Sequence, residues 1–323
     1  MHILVTGAGG MIGRKFVAAL ARGEGPARID RLTLTDIVAP TAPEGIGCPA
    51  ECIGADFTGE GVAERLVAGK PDLIVHLAAV VSGEAEADFD KGYRVNLDGT
   101  RGLLEAIRLA PDRGDWKPRF LFTSSVATFG GPYPASIPDD FINSPQNSYG
   151  VQKVIGELLL SDYTRRGFID GIGLRLPTIC IRPGAPNKAA SGFFSGILRE
   201  PLQGREAVLP VDESIRHWFS SPRAAVGYLL RAAVMESTPI GDRRTLNLPG
   251  LSATIGDEIE ALRRAAGDAA VKLIRREPDP AIRAIVSSWP ERFDASRARA
   301  LGFVAEQSFD EIIRVFIEDE LGG

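Results

Sequence analysis

The stretch Thr6-Gly7-Ala8-Gly9-Gly10-Met11-Ile12-Gly13 lies between a short β-branched run and an amphipathic pattern. The run from His2 to Thr6 predicts a strand, and Phe16, Val17 and Leu20 recur at the spacing of one helix face. The glycines allow a tight turn, close approach of the backbone to a pyrophosphate and close packing of helix on strand. This context predicts a dinucleotide site with the anion at the positive end of the helix. The residues expected there are Gly7, Gly10, Met11, Ile12 and Gly13.

A carboxylate follows the next predicted strand, Arg31 to Thr35. Asp36 comes about twenty residues after the glycines, at the spacing of the dinucleotide fingerprint. A carboxylate there accepts hydrogen bonds from the ribose hydroxyls and repels a 2'-phosphate. Ile37 stands where an NADP enzyme often has an arginine. We therefore predict NAD as the cofactor; the alternative is a surface Asp in a turn.

Strands continue to alternate with helices along the first half of the chain. Further strands are predicted at 51–55, 72–77, 119–122 and 172–176. This alternation predicts an α/β fold with a doubly wound parallel sheet, whose ligand lies at the carboxyl ends of the strands. Asp56, Ala78 and Ser125 fall at such ends, together with the glycine loop and Asp36. His76 is expected to be a packed histidine at a strand end and not a catalytic residue.

Tyr149 and Lys153 are four residues apart in a predicted helix, so their side chains project from the same face. A phenol is a poor base at neutral pH, since its ordinary pKa is about 10. A nearby ammonium group favours the phenolate and lowers that pKa. The pair can therefore form a general base that takes a proton from an alcohol. Taken alone, the same spacing more often describes a solvated surface pair.

The composition excludes several classes of function. The 323 residues, 44% of them hydrophobic, suffice for one large domain with an appendage or for two modest domains. A net charge of -5 without a basic block argues against a nucleic-acid or membrane-surface partner. No apolar run could span a bilayer and no targeting leader is apparent, so we expect a cytoplasmic protein. Three cysteines without a CxxC motif, and three scattered histidines, predict neither a disulfide framework nor a metal site.

Together these segments resemble the extended short-chain dehydrogenase/reductase family, also called the NAD-dependent epimerase/dehydratase family. They occur in the family's order over roughly the first 185 residues and are specific as a set. The matching pieces are Thr6-Gly7-x-x-Gly10-x-x-Gly13, Asp36, Asp56, His76-Leu-Ala-Ala79, Asn96-Leu-Asp-Gly-Thr100, Ser124-Ser125, Thr128-Phe129-Gly130 and Tyr149-x-x-x-Lys153.

The resemblance implies a Rossmann-type fold, NAD and a Ser-Tyr-Lys catalytic group. In the family's mechanism Tyr149, as phenolate, removes the proton of the substrate hydroxyl and Ser125 orients the substrate oxygen. Lys153 lowers the pKa of the phenol and binds the nicotinamide ribose, and hydride passes to the nicotinamide. A homodimer through the helices at 91–109 and 148–166 is also implied. The further cofactor residues that it implies are Asp56, Phe57, Leu77, Ala78, Ala79, Asn96, Tyr149, Lys153, Pro177 and Ile179.

The chain beyond Leu176 is expected to bind the substrate and determine its specificity. We divide the chain into an NAD-binding domain, 1–176, and a smaller C-terminal α/β substrate lobe, 177–323, partly interleaved with it. The segment from Leu174 to Phe194 resembles that of the D-erythronate dehydrogenases, which oxidise the 2-hydroxyl of a four-carbon sugar acid, and more distantly that of the uronate dehydrogenases. Its cations and hydroxyls suit a small acid, although each cation could be a solvated surface charge. The expected substrate residues are Ser82, Ser125, Tyr149, Thr178, Arg182, Lys188, Ser191 and Arg216.

We therefore expect NAD-dependent oxidation of a secondary hydroxyl of a small sugar acid such as D-erythronate. The alternatives are a uronate dehydrogenase, a nucleotide-sugar epimerase that returns the hydride, and a redox-sensing NAD-binding protein without turnover. Two features count against a nucleotide sugar. Phe129 stands where family members often have Tyr, and Ser220-Ser221-Pro222 follows Arg216-His217-Trp218 where many such members have a different pattern.

Overall fold

The computed structural model describes residues 1–184 and 191–322. The strands within these ranges are β1 His2–Thr6, β2 Arg31–Asp36, β3 Ala50–Gly54, β4 Leu73–His76, β5 Arg119–Ser125, β6 Asp170–Leu176, β7 Thr178–Ile179, β8 Ala207–Leu209, β9 Arg216–Ser220, β10 Thr245–Asn247, β11 Leu251–Thr254 and β12 Ile274–Arg276. The α-helices are α1 Met11–Ala21, α2 Val62–Val67, α3 Ser82–Ala87, α4 Phe89–Gly92, α5 Thr100–Arg108, α6 Ser148–Arg165, α7 Gly192–Leu202, α8 Pro222–Val234, α9 Ile255–Val271, α10 Pro280–Val286, α11 Ser296–Ala300 and α12 Phe309–Phe316.

The central sheet has seven parallel strands in the order β10-β6-β5-β4-β1-β2-β3. Its register aligns Thr6 of β1 with His76 of β4, and Ser125 of β5 with Leu176 of β6. The carboxyl ends of these strands therefore meet at one edge of the sheet, where ligands bind in doubly wound folds. The predicted doubly wound parallel sheet is confirmed.

Helices cover both faces of this sheet. Ile3 and Val5 pack with α1 and α8 on one face, and Leu4 packs with α2, α5 and α6 on the other. This division follows from the strand period of two, which sends neighbouring side chains to opposite faces. Both faces are buried, and β4 is accordingly buried along its whole length.

A smaller α/β lobe forms beyond Leu176. It contains the sheet β11-β9-β7, the strand pair β12-β8 and the helices α7, α9 and α12. Its core includes Phe194, Phe219, Leu262 and Phe309, all buried. Because β7 begins two residues after β6 ends, this lobe lies directly beside the carboxyl edge of the central sheet.

The two parts of the chain interleave. Strand β10 lies beyond residue 177 but pairs with β6 in the central sheet, and α8 packs on α1.

The helix expected at 91–109 is interrupted by a π-helical segment, Tyr93–Gly99. No helix within residues 1–184 and 191–322 is long and apolar enough to cross a membrane.

Candidate active site

The glycine loop connects β1 to α1 and packs tightly against the end of β4. Gly7 has φ +72°, and a Cβ there would lie 2.6 Å from the backbone nitrogen of Ala78. A Cβ at Gly13 would collide with the carbonyl oxygen of Gly7. Both positions therefore require glycine, one for its backbone conformation and both for close packing.

The first turn of α1 can hold an anion. Gly10 precedes the helix and offers no capping side chain, and the first turn contains no acidic residue. Among the described residues, the backbone N–H groups of Met11 and Ile12 have no acceptor outside the helix. Unpaired N–H groups at the positive end of a helix fit a pyrophosphate. The loop thus has the form that a dinucleotide requires.

Two carboxylates lie at the ends of β2 and β3, beside this loop. Asp36 accepts hydrogen bonds from the backbone N–H of Gly9 at 2.9 Å and of Ile37 at 2.8 Å. Asp56 accepts from the backbone N–H and the hydroxyl of Thr58, at 3.0 and 2.7 Å, and these bonds lower the pKa of its carboxyl. The structure therefore brings Asp36 against the glycine loop, while Asp56 is held within its own turn.

The segment after β4 forms the wall opposite the glycine loop. Leu77 and Ala78 are half-buried and Ala79 is exposed. Asn96, only 1% exposed, accepts from the backbone N–H of Val80 at 2.9 Å and donates to its carbonyl at 3.2 Å. The amide of Asn96 also donates to the Gln152 side chain at 2.7 Å. Asn96, predicted as a cofactor residue, thus uses its side chain to hold this wall.

Phe57 and His76 lie in the core behind the wall. The ring of Phe57 is buried against Gly99 and edge-on to His76, with ring centroids 5.5 Å apart. Its side chain therefore faces the core, although it was predicted at the cofactor. His76 is buried between the hydroxyls of Thr6 and Thr100, at 2.7 and 3.0 Å, as expected of a packed histidine.

Ser125, Tyr149 and Lys153 come together at the carboxyl edge of the sheet. Ser125 ends β5, while Tyr149 and Lys153 lie in the first two turns of α6. A Cβ at Gly150 would collide with the carbonyl oxygen of Ala127, so α6 closely approaches the turn after Ser125. The Lys153 ammonium donates to the carbonyl of Thr123 at 2.9 Å and lies 5.6 Å from the centre of the Tyr149 ring.

The electrostatics of this group differ from the expectation. Burial raises the pKa of Tyr149 to about 12, because it penalises the phenolate. Among the described residues, Ser125, by hydrogen bonding, and Arg182, by its charge, oppose this rise. Lys153, which was expected to lower the pKa of Tyr149, is not among them. Its own pKa is lowered to about 8 by burial, against the opposing charge of Glu157.

Arg182 follows β7, and its charge acts on the phenol of Tyr149. Its guanidinium donates from Nε to the carbonyl of Ile179 at 2.9 Å and from Nη2 to the hydroxyl of Ser191 at 2.8 Å. The backbone N–H of Arg182 donates to Ser195 at 3.0 Å. Arg182 and Ser191, both predicted as substrate residues, are therefore in contact, and the positive charge of Arg182 acts on Tyr149.

The other predicted substrate-side residues are placed as follows. Thr178 is half-buried just after β6, next to the buried Pro177 that was predicted at the cofactor, and Ser82 is half-buried at the start of α3. Arg216 donates to the carbonyl of Ser252 in β11 at 3.1 Å, and among the described residues no contact joins it to Tyr149. Lys188 lies outside the described residues.

Comparison with known proteins agrees with this geometry. Residues 3–226 match the NAD dependent epimerase/dehydratase family. The chain belongs to this family. The predicted resemblance is thereby confirmed, and the family's cofactor is the one that the glycine loop and Asp36 predict.

Several members of the NAD dependent epimerase/dehydratase family align with the whole chain. A D-erythronate dehydrogenase of Cupriavidus necator is 49% identical over 99% of this chain and 98% of that protein. A D-erythronate dehydrogenase of Haemophilus influenzae is 42% identical over 99% of this chain and 100% of that protein. The solved structure of a nucleoside-diphosphate-sugar epimerase from Agrobacterium tumefaciens is 59% identical, with a TM-score of 0.97, and covers 100% of this chain and 95% of that one.

Two buried polar pairs support the site of this family member and were not predicted from its sequence. Glu157 and Arg175 form an ion pair between α6 and β6, and Ser124 donates its hydroxyl to Glu157. His217 of β9 contacts Thr178 at 2.7 Å. The spacing of Glu157 four residues after Lys153 is visible in the sequence, but nothing local pairs His217 with Thr178. That contact depends on β9 lying beside β7.

Proposed function

We propose that this chain is an NAD-dependent dehydrogenase that oxidises the 2-hydroxyl of D-erythronate, or of a closely similar sugar acid, to the 2-oxo acid. The observation that carries the proposal is the guanidinium of Arg182, whose charge acts on the phenol of Tyr149. The two full-length relatives named D-erythronate dehydrogenase support the same assignment.

Arg182 is suited to hold the carboxylate of a substrate. A guanidinium is the side chain best suited to hold a carboxylate, because its planar donors match the two oxygens. Its Nε and Nη2 already contact protein oxygens, and among the described residues its Nη1 has no acceptor. Because the charge of Arg182 acts on the phenol of Tyr149, a carboxylate held at Arg182 would keep an adjacent 2-hydroxyl near that phenol. A 2-hydroxy acid meets both groups at once.

Each member of the catalytic group then has one role. Tyr149 takes the proton of the 2-hydroxyl, Ser125 holds the same oxygen, and Lys153 binds the nicotinamide ribose. NAD, when bound, accepts the hydride from the substrate carbon. Residues 1–176 hold the cofactor in this proposal, and 177–323 choose the substrate, with Arg182 and Ser191 at the carboxylate.

A nucleotide-sugar epimerase is the second candidate, because the 59% identical solved structure carries that name. The aromatic cluster around position 129 favours the dehydrogenase. Phe129 is buried against Phe141 and Phe293 beneath the guanidinium of Arg175, with 4.7 Å from guanidinium to ring centre. A side chain enclosed in this way does not bind a sugar.

The deciding experiment mixes the purified protein with NAD and D-erythronate and follows NADH absorbance. Parallel reactions contain other aldonates, uronates, or UDP-hexoses with product analysis. NADH formation that is fastest with the four-carbon acid supports the proposal, and epimerised sugar without net NADH supports the second candidate. Tyr149→Phe is the control. It should lose activity by about 100- to 10,000-fold while NAD binding is retained.

We further propose that the protein is a homodimer, whose subunits meet through α6 and the helical segment that contains α4 and α5. The supporting observation is an apolar surface on these helices. Phe89 and Leu158 are 58% and 65% exposed, and Tyr93 packs on Phe89 with ring centroids 4.6 Å apart. Leu158→Glu should therefore yield monomers in light scattering, whereas the matched change Val234→Glu on α8, at another exposed apolar residue, should not.

A further inference from the structure

His217 is a buried histidine that contacts the expected substrate side of the site through one partner. Its Nε2 lies 2.7 Å from the hydroxyl oxygen of Thr178. The side chain is 2% exposed, so it cannot itself reach a ligand. Any effect of His217 on the reaction must therefore pass through Thr178.

Aromatic rings enclose His217. The imidazole stacks on Phe194, at 5.4 Å between centroids and 5° between planes, and lies 5.4 Å from Phe219 and 5.2 Å from Trp289. Burial among these rings, with a smaller contribution from the charge of Arg182, lowers the pKa of His217 to about 4. The imidazole is therefore neutral at physiological pH and carries a single proton.

The position of that proton decides what Thr178 can do. The Nδ1 atom is buried and has no hydrogen-bond partner among the described residues, and the backbone carbonyl of Pro290 raises the pKa of the ring against burial. A carbonyl oxygen can only accept a hydrogen bond. It therefore favours a proton on Nδ1, the ring nitrogen that Thr178 does not contact. In that form Nε2 accepts the proton of the Thr178 hydroxyl.

Thr178 is well placed to meet the substrate. Leu176 pairs with Ser125 in the central sheet, and Thr178 follows two residues later. The next residue, Ile179, receives the hydrogen bond from Nε of Arg182. The half-buried Thr178 therefore follows the strand that pairs with Ser125 and directly precedes the residue that Arg182 contacts.

We propose that His217 is a positioning residue that fixes the Thr178 hydroxyl as a hydrogen-bond acceptor, and that this pair selects acids with a hydroxyl beyond the oxidised carbon. The inference rests on the proposed function and adds to it a residue pair that sets specificity. An acceptor at Thr178 attracts a substrate hydroxyl and disfavours a carboxylate, so the acid binds with its carboxylate at Arg182. An acid without that hydroxyl leaves the Thr178 oxygen unpaired.

The kinetic test compares D-erythronate with (R)-2-hydroxybutanoate, which has the same configuration at C2 and no hydroxyl at C3 or C4. Thr178→Val should lower kcat/KM for D-erythronate by about 10- to 100-fold and leave that for (R)-2-hydroxybutanoate within about threefold. Thr178→Ser, which keeps the hydroxyl, is the matched control and should retain the wild-type preference.

His217→Phe tests the positioning role in the same assay, since Phe preserves the aromatic packing and removes both nitrogens. We expect it to reduce the preference for D-erythronate in the wild-type background and to have no further effect on the preference in Thr178→Val. Equal effects in both backgrounds would show a merely structural role. An unchanged preference in Thr178→Val overturns the inference even if His217→Phe does not fold.

The ring proton can be located without any assay of activity. The chain has three histidines, and long-range 1H–15N spectra of the full-length protein distinguish the two neutral forms of each. A proton on Nδ1 of His217 supports the inference, and a proton on Nε2 overturns it. If the wild-type protein does not oxidise D-erythronate, the proposed function fails, whereas an activity that is insensitive to Thr178 rejects this inference alone.

Discussion

Arg175 donates hydrogen bonds to both carboxylate oxygens of Glu157, at 2.9 Å from Nε and 2.8 Å from Nη2. Both side chains are buried, and Ser124 donates its hydroxyl to the same carboxylate. Arg175 also donates to the side chain of Asn247 at 3.1 Å. The pair therefore joins helix α6, which carries Tyr149 and Lys153, to strands β5, β6 and β10.

Breaking this ion pair should destabilise the protein strongly. Glu157→Gln leaves the buried charge of Arg175 without its counter-charge, and such a loss typically costs about 3–5 kcal/mol. The free energy of unfolding, from denaturant titration monitored by circular dichroism, should fall by that amount. The double change Glu157→Met with Arg175→Met should recover most of it. A loss below about 1 kcal/mol in the single variant would mean that water or another group satisfies Arg175.

Removing the charge of Arg182 should affect both binding and pH dependence. Arg182→Gln should lower kcat/KM for D-erythronate by about 100-fold or more, because a carboxylate then lacks its cationic partner. The charge of Arg182 lowers the pKa of Tyr149, so its loss raises that pKa. Activity should then increase with pH over a range that lies higher than in the wild type. Arg182→Lys keeps the charge and should leave the pH profile in place, although binding weakens.

Asp36 should determine the preference of the enzyme for NAD over NADP. Asp36→Ala removes the carboxylate that faces the ribose hydroxyls in the proposed complex and would repel a 2'-phosphate. We expect the ratio of kcat/KM for NAD to that for NADP to fall by about 10-fold or more, mainly through KM for NAD. Glu24→Ala is a matched control, since it removes an exposed carboxylate that pairs with Arg22. An unchanged ratio in Asp36→Ala would remove Asp36 from the cofactor site.

The sequence predicted which residues gather at the carboxyl edge of the sheet, but it did not predict their electrostatics. The glycine loop, Asp36 and the Tyr149–Lys153 spacing are local patterns, and each lies at the predicted edge of the sheet. The pKa of Tyr149 moves opposite to the prediction because it depends on burial, which is set by segments far apart in the chain. Arg182 acts on Tyr149 across 33 positions of sequence, and no spacing rule relates them.

Contacts between distant segments also explain why the substrate residues were harder to predict from the sequence. Arg216 was predicted from a cluster of cations and hydroxyls in the sequence, and it donates to the carbonyl of Ser252 in β11. The next residue, His217, points to the opposite face of β9 and contacts Thr178 of β7. Adjacent strand residues point to opposite faces, so only the strand pairing could decide which of the two reaches the site.

Buried neutral histidines should make the fold sensitive to mild acid. The pKa of His217 is lowered from 6.5 to about 4 and that of His76 to about 3, both mainly by burial. Between pH 6.5 and 4 the unfolded chain therefore binds protons that the folded protein does not, and stability decreases as pH falls. His217 alone should account for about 3 kcal/mol over this range. The thermal midpoint of His217→Phe should fall less than that of the wild type between pH 7 and pH 5, and identical decreases would contradict the assignment.

The order in which the central sheet is completed follows from the place of β10. Strand β10, Thr245–Asn247, is the edge strand beside β6 and comes late in the chain. The other six strands of the sheet all precede Pro177. During synthesis, the ribosome must therefore translate about three-quarters of the protein before the backbone groups along β6 gain their last partner. An N-terminal fragment that ends at Leu176 would leave that strand as an open edge, ready to pair with another chain. Between the synthesis of β6 and that of β10, nascent chains of this protein therefore expose the edge of β6 to aggregation.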